Sequence, residues 1–143
     1  MPRILAGKPI IDALKEDGLK RVAALKDRGI DPVLAIVRIG ARLDDLSYER
    51  TAIKRAEALG IGVRLFQLYE DAGQDALMKA IGEINADQGI HGCLMFRPLP
   101  AGYDEEAACE ALDPRKDVDG IGRAALARVF TGRGEGFAPC TAA

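Results

Sequence analysis

Three short apolar runs, Pro32 to Ile39, Ile61 to Tyr69 and Ile90 to Phe96, are separated by longer segments with helical spacing. This alternation constrains the chain most. Short runs bounded by Gly and Pro and rich in β-branched residues read as strands, whereas apolar residues three and four apart read as one face of a helix. Pro9 to Lys26 reads as a first helix, with Ile10, Ile11, Leu14, Leu19, Val22, Ala23 and Leu25 as its stripe and Pro9 in its first turn. Asp44 or Asp45 would cap a second helix, Leu46 to Leu59, which stops at Gly60. Gln74 to Ala86 and Asp104 to Leu112 follow as helices, and Ile121 to Val129 as a last one. Strands in turn with helices predict βαβ units, hence an α/β protein: a three-layer α/β/α domain with a mostly parallel sheet. Right-handed crossovers place helices on both faces, and ligands of such sheets bind beyond the carboxyl ends of the strands. Gly40 to Tyr48, Phe96 to Pro100 and Lys116 to Gly120 are expected at that edge.

The run Asp113-Pro114-Arg115-Lys116-Asp117-Val118-Asp119-Gly120 holds three acidic and two basic residues in eight positions. Pro114 and Gly120 mark it as a loop. In an extended backbone Asp117 and Asp119, on either side of Val118, would point the same way. Such a loop is usually a solvated connection, but its place at the ligand-binding edge makes it a candidate site.

With 143 residues the chain is long enough for one domain with a real core. A net charge of −2 leaves no electrostatic footprint for nucleic acid or an anionic membrane. No apolar run approaches the ~20 residues of a membrane span. The first residues lack a signal-peptide core. Cys93, Cys109 and Cys140 are odd in number and lack metal-ligand spacing, which fits reduced thiols in a cytoplasmic protein. Cys93 reads as a small buried hydrophobe. His91, the single histidine, reads as structural, and no second ligand accompanies it to hold a metal.

Several separated segments, in order, resemble the N-terminal, folate-binding domain of the methylenetetrahydrofolate dehydrogenase/cyclohydrolase family. They are Ile4-Leu5-Ala6-Gly7-Lys8; Ser47-Tyr48 with Lys54-Arg55-Ala56 and Gly60-Ile61; His91-Gly92 through Pro98-Leu99-Pro100; Asp113 to Gly120; and Phe137-Ala138-Pro139-Cys140-Thr141. The resemblance covers nearly the whole chain. It implies an amino-acid-dehydrogenase-like N-terminal domain over residues 1–143, with Tyr48 and Asp119 as catalytic residues. It implies substrate-binding roles for Tyr48, Phe96, Arg97, Pro98 and Asp119. It further implies a folate substrate, NAD or NADP bound by a C-terminal Rossmann domain that this chain lacks, no metal, and a homodimer at full length.

The chain departs from the family's pattern at the centre of that site. Ala52 stands four residues after Tyr48, where the family carries the lysine of its cyclohydrolase step. Phe96 stands in place of the glutamine that partners this lysine, Arg97 in place of the following leucine, and Asp45 where a serine is frequent. Opening a methenyl iminium ring with water needs proton transfers, which neither Ala52 nor Phe96 can supply. Hydride removal from the methylene carbon asks this domain mainly to hold the pterin rigidly. Tyr48 offers an aromatic face and a hydroxyl, and Asp119 can accept paired N–H bonds from a pterin. The expectation is a dehydrogenase half whose cyclohydrolase function is lost.

Plainer roles remain for most of these residues. Tyr48 could only pack its helix on the sheet, and Asp119 could only cap the following helix. Arg97 could bind a carboxylate such as folate's glutamate tail, or be a solvated charge. Lys54, Arg55, Glu49 and Glu57 read as solvated. The alternating Gly132, Gly134 and Gly136 sit in no strand–glycine–helix pattern and are not a dinucleotide fingerprint. The chain stops where the family's nucleotide-binding domain begins, so a piece of a longer protein and a naturally short homologue are both open, the first being the expectation. The alternative function is a non-catalytic folate-binding or regulatory module. A two-domain dehydrogenase of the shikimate type is a third reading, which the Asp113–Gly120 loop opposes.

Overall fold

The computed structural model describes residues 7–140. Ile4 to Ala6 and Thr141, which belong to two of the family-like segments, lie outside the described residues. The order of elements is α1 (Lys8–Lys26), β1 (Val33–Ile39), α2 (Leu43–Leu59), β2 (Gly62–Leu68), α3 (Gln74–Ala86), β3 (Gly92–Met95), α4 (Glu105–Ala111) and α5 (Arg123–Thr131). The strands form a parallel sheet in the order β2-β1-β3. From β1 the chain steps outward to β2 and then crosses back over β1 to β3. With right-handed connections these opposite steps put α2 on one face and α3 on the other. The domain is therefore the three-layer α/β/α arrangement with a parallel sheet.

The side chains of β1 alternate between the two faces. Ala35, Val37 and Ile39 join Leu77, Ile81 and Ile84 of α3, Cys93 and Met95 of β3, and Ala108, Cys109 and Leu112 around α4 in one buried cluster. Ile36 and Arg38 face the other layer, where Ala56 and Glu49 are the buried residues of α2. Glu49 and Ala56 are seven residues apart, two turns along one helix face. Glu49 is thus not the solvated charge its sequence implies. It is 6% exposed and paired with Arg38, itself 7% exposed.

The α1 stripe does not make a core face. Val22 is its buried residue, while Ile10, Ile11, Leu14 and Leu19 remain exposed. Helix α2 begins at Leu43, three residues earlier than its sequence predicts. Arg42, in extended conformation, is the N-cap residue, and its guanidinium engages the Asp45 carboxylate at 2.8 and 3.0 Å. Asp44 and Asp45 therefore lie in the first helical turn, where carboxylates suit the positive end of the helix dipole. The last helix starts later than expected because Gly122 is its N-cap residue.

Candidate functional site

At the carboxyl edge of the sheet, Asp44, Asp45, Tyr48, Leu94, Met95, Phe96, Arg97 and Asp119 line a cleft of about 440 Å³. Four of the five residues singled out in the sequence therefore meet in one place. Tyr48 comes from the second turn of α2, Phe96 and Arg97 from the exit of β3, and Asp119 from the acidic loop. Pro98 follows Arg97 through a cis peptide bond and is exposed; it is not among the residues lining the cleft.

Tyr48 and Phe96 touch edge to face, with ring centroids 5.2 Å apart and an interplanar angle of 64°. Phe96 is buried, at 7% exposure, whereas Tyr48 is 56% exposed. Tyr48 thus does not simply pack its helix on the sheet. Its ring touches Phe96, and more than half of the residue faces solvent beside the cleft. Ala52 is half-buried one turn farther along α2, about 40° around and ~6 Å along the axis from Tyr48.

The loop after β3 is held by α4. Glu105 accepts the backbone N–H of Leu99 at 2.8 Å and the Arg97 guanidinium at 3.3 Å. Arg97 thus has a carboxylate partner within the protein while its side chain, 38% exposed, borders the cleft.

The acidic loop is anchored at three points. The Lys116 ammonium donates to the carbonyls of Ile84, Asn85 and Asp87 at 2.6, 3.1 and 2.7 Å, closing the C-terminal end of α3. Cys93 donates its backbone N–H to the Lys116 carbonyl, and Asp117 bridges Cys93 in parallel, so the loop briefly extends the sheet beyond β3. Asp117, 2% exposed, accepts the backbone N–H groups of Ile121 and Gly122. Asp113 accepts the backbone N–H of Arg115 at 2.9 Å and its guanidinium at 2.6 Å, which hold the Asp113 carboxyl below its usual range. Gly92 is where the loop lies closest: a Cβ there would stand 2.6 Å from Cγ1 of Val118.

Two expectations change as a result. The backbone turns at Val118 and Asp119 instead of running extended, so Asp117 and Asp119 part company. Asp117 points inward to the start of α5, and half-buried Asp119 borders the cleft. Asp119 does not cap the following helix: Glu110 accepts the Arg123 N–H at the start of α5 at 2.7 Å, and Asp117 holds the two N–H groups just before it. The sequence carried a signal for this, since an Asp four and five residues before Ile121 and Gly122 can reach their N–H groups only across a turn. Distance along the chain hid the roles of Lys116 and of the Arg38–Glu49 pair.

Other singled-out residues have structural or surface settings. His91 Nδ1 accepts the Val33 N–H at 3.2 Å, tying the start of β3 to β1. Cys93 is buried, which pushes its thiol up to about 12. Lys54 and Arg55 are exposed and border a larger groove of about 750 Å³ between α1 and α2, together with Ile11, Leu14, Ala58 and Leu59. That groove lacks the paired aromatic and carboxylate groups of the cleft. Among the described residues no group of three His, Cys, Asp or Glu is placed to hold a metal, and no helix is long and apolar enough to cross a membrane.

The helix starts at the carboxyl edge of the sheet do not fit the pyrophosphate of a nicotinamide dinucleotide. Helix N-termini attract phosphate, yet the helices that begin after β1, β2 and β3 carry Asp44 and Asp45, Asp75, and Glu105 and Glu106 in their first turns. Carboxylates there repel an anion.

The family described as tetrahydrofolate dehydrogenase/cyclohydrolase, catalytic domain, matches residues 5–119. The bifunctional protein FolD of Clostridioides difficile is 42% identical over 139 residues, covering 97% of this chain and 48% of that protein. Its counterpart in Carboxydothermus hydrogenoformans is 45% identical over 141 residues, covering 99% and 49%. The crystal structure of the FolD methylenetetrahydrofolate dehydrogenase/cyclohydrolase of Campylobacter jejuni superposes with a TM-score of 0.90 at 30% identity, over 94% of this chain and 48% of that one. The Trypanosoma brucei enzyme, solved with NADP and an inhibitor, gives 0.90 at 28% identity, over 99% and 50%. The chain spans about half the length of the curated relatives it matches. Fold and sequence agree over the same elements that build the cleft, and the chain belongs to the tetrahydrofolate dehydrogenase/cyclohydrolase family, as its catalytic domain.

Proposed function

We propose that residues 1–143 are the tetrahydrofolate-binding part of a methylenetetrahydrofolate dehydrogenase in which the methenyltetrahydrofolate cyclohydrolase step is lost. The observation that carries this reading is the convergence of Tyr48, Phe96, Arg97 and Asp119 on one cleft at the carboxyl edge of the sheet, with Ala52 one turn beyond Tyr48. In this reading Asp119 accepts N–H bonds from the pterin, because a carboxylate matches two adjacent donors. Tyr48 stacks on the pterin ring and orients it through its hydroxyl, with Phe96 as the wall behind it. Arg97 meets the glutamate tail by exchanging the Glu105 carboxylate for that of the ligand, and Pro98 borders the entry. Among the described residues lining the cleft none is a lysine or histidine; the bases present are the carboxylates of Asp44, Asp45 and Asp119, which as a class are weaker bases than the amine the family uses for ring opening.

The dehydrogenase reaction requires NAD or NADP as hydride acceptor. The acidic helix starts after β1, β2 and β3 offer the dinucleotide no seat, and a second domain of the full-length product would hold it. The work of the present residues is to bind the folate, orient its methylene carbon and exclude water from one side. A cytoplasmic location and a homodimer at full length belong to the same proposal.

Titration calorimetry of the full-length gene product with tetrahydrofolate, followed by dehydrogenase and methenyl-hydrolysis assays of the same protein, tests the reading. Saturable binding, NAD(P)-dependent oxidation and hydrolysis at the solvent rate are expected. Binding without oxidation supports the folate-binding module instead, and absence of binding overturns both.

A further inference from the structure

We infer that the buried Arg38–Glu49 pair is a positioning device that sets the rotation of α2 and thereby the place of the Tyr48 ring. Arg38 Nε donates to Glu49 Oε2 at 2.7 Å, and Arg38 Nη1 donates to the Gly40 carbonyl in the turn leaving β1. Gln67 Nε2 donates to the other oxygen, Glu49 Oε1, at 3.1 Å. Arg38 and Gln67 are register partners on β1 and β2, so both oxygens of one carboxylate are held from two adjacent strands. A carboxylate gripped in this way fixes its helix in rotation as well as in distance, which a greasy contact does not.

Tyr48 precedes Glu49, so it projects about 100° around the helix from it. With Glu49 locked toward β1 and β2, Tyr48 is turned about a quarter of a circle away, toward the exit of β3, where its ring and that of Phe96 meet at 5.2 Å. The rest of the α2 face explains why such a lock matters. Ala56 is its other buried residue, and Leu46, Ala52, Ile53 and Leu59 are half-buried. Apolar contacts of this kind are non-directional and leave a helix able to roll on the sheet. The ion pair adds directional bonds to that packing.

Two buried charges are a costly way to gain stability, since hydrophobic replacements of similar size are often as stable. That fact separates the two possible roles. In the double variant R38M/E49L both charges are removed together, so no charge is left buried and alone. The chain is expected to fold with a similar thermal midpoint while α2 loses its angular reference. The readout is carbon-13-labelled tyrosine NMR of the 143-residue chain, whose three tyrosines are assigned with Y48F and the other single Phe variants. The Tyr48 ring resonance should lose the shift caused by Phe96, and the Tyr48–Phe96 cross-peaks should fade.

A second variant decides the matter should the double variant not fold. Glu49→Asp keeps the charge pair but shortens the arm by one methylene, so α2 must roll or draw in to restore the bond, and the Tyr48 resonance should move. An unchanged Tyr48 signal in a folded R38M/E49L protein overturns the inference, as does an unchanged signal in Glu49→Asp if the double variant is unfolded. A second readout rests on the proposed folate site: tetrahydrofolate affinity should fall about five- to tenfold in R38M/E49L, as expected from losing one oriented ring contact. If wild type does not bind tetrahydrofolate, the functional reading fails, and the NMR arm still decides the positioning role. If wild type binds and R38M/E49L binds equally well, the pair has no bearing on the site.

Discussion

The Asp117 carboxylate accepts the backbone N–H of Gly122 at 2.9 Å, and that of Ile121 at 3.1 Å, so the acidic loop is closed onto the start of α5. Both N–H groups precede the first turn of the helix, and the carboxylate is almost fully buried. The same bonds hold the turn that carries Asp119 to the cleft. Asp117→Ala leaves these donors unpaired and is expected to cost ~2–3 kcal/mol. Urea unfolding of wild type and variant measures this. A loss below half a kilocalorie would mean that the loop is held by Lys116 alone.

Asp119→Asn preserves the shape of its side chain but halves its acceptor capacity and removes its charge. Loss of one charge-assisted hydrogen bond costs ~1.5–3 kcal/mol, or at least about tenfold in affinity. Titration of tetrahydrofolate into wild type and variant reads the effect. The unfolding midpoint should stay put, because Asp117 and not Asp119 closes the loop. Equal dissociation constants would remove Asp119 from the site.

Ala52→Lys alone is expected to restore little methenyl hydrolysis. Phe96 offers the ammonium no hydrogen bond, and Asp45 is already engaged by Arg42. Ala52→Lys with Phe96→Gln should exceed either single change, within the ~10²–10⁴ that general acid–base help contributes. The decay of methenyltetrahydrofolate with the full-length protein is the measurement. If unmodified protein already hydrolyses it well above the solvent rate, Arg97 is the first residue to examine.

The carboxyl of Asp113 is held below its usual range by hydrogen bonds from the Arg115 side chain and backbone. A depressed folded value means that this contribution is fully present above the unfolded pKa of ~3.9 and is lost as pH falls through the folded value. Between pH 5 and 2 the thermal midpoint of wild type should fall more steeply than that of Asp113→Asn, which has no such proton to bind. Parallel curves would show that the Asp113–Arg115 contact is as weak as an ordinary surface pair.

Burial pushes the Cys93 thiol up to about 12, with the Asp117 carboxylate adding to the shift, while Cys140 is exposed. Burial also raises Cys109. An alkylating reagent at pH 8 should therefore modify Cys140 quickly and Cys93 and Cys109 only on unfolding, since the thiolate is the reactive form. Mass spectrometry of the labelled peptides tells them apart. Rapid labelling of Cys93 in native protein would show that β3 opens readily.

Most elements were legible because their signals are local. The helix Gln74–Ala86 has the bounds its spacing implies, and β1 and β3 fall inside the two apolar runs flanked by Gly and Pro. The shared edge followed from the order of strands and helices, and with it the meeting of Tyr48, Phe96, Arg97 and Asp119. The start of α2 was misplaced because Arg42, a residue without capping tendency, takes Asp45 as its partner. The apolar stripe of α1 stays largely exposed because the helix packs chiefly on α2.

What the sequence by itself determined was the α/β architecture and the edge of the sheet where the candidate site lies. These depend on residue type and on spacing within one element or between successive ones. Only the tertiary structure decided which acidic residue does what. Asp117 and Asp119 are two apart in the same charged loop, yet one is buried under α5 and the other borders the cleft. Glu49 reads as a surface charge until Arg38, eleven residues earlier, and Gln67, eighteen later, close on it from two strands. A charged side chain has no burial preference that periodicity can reveal. Its role is set by the partner that the fold brings within about 3 Å of it, and that partner can lie anywhere along the chain.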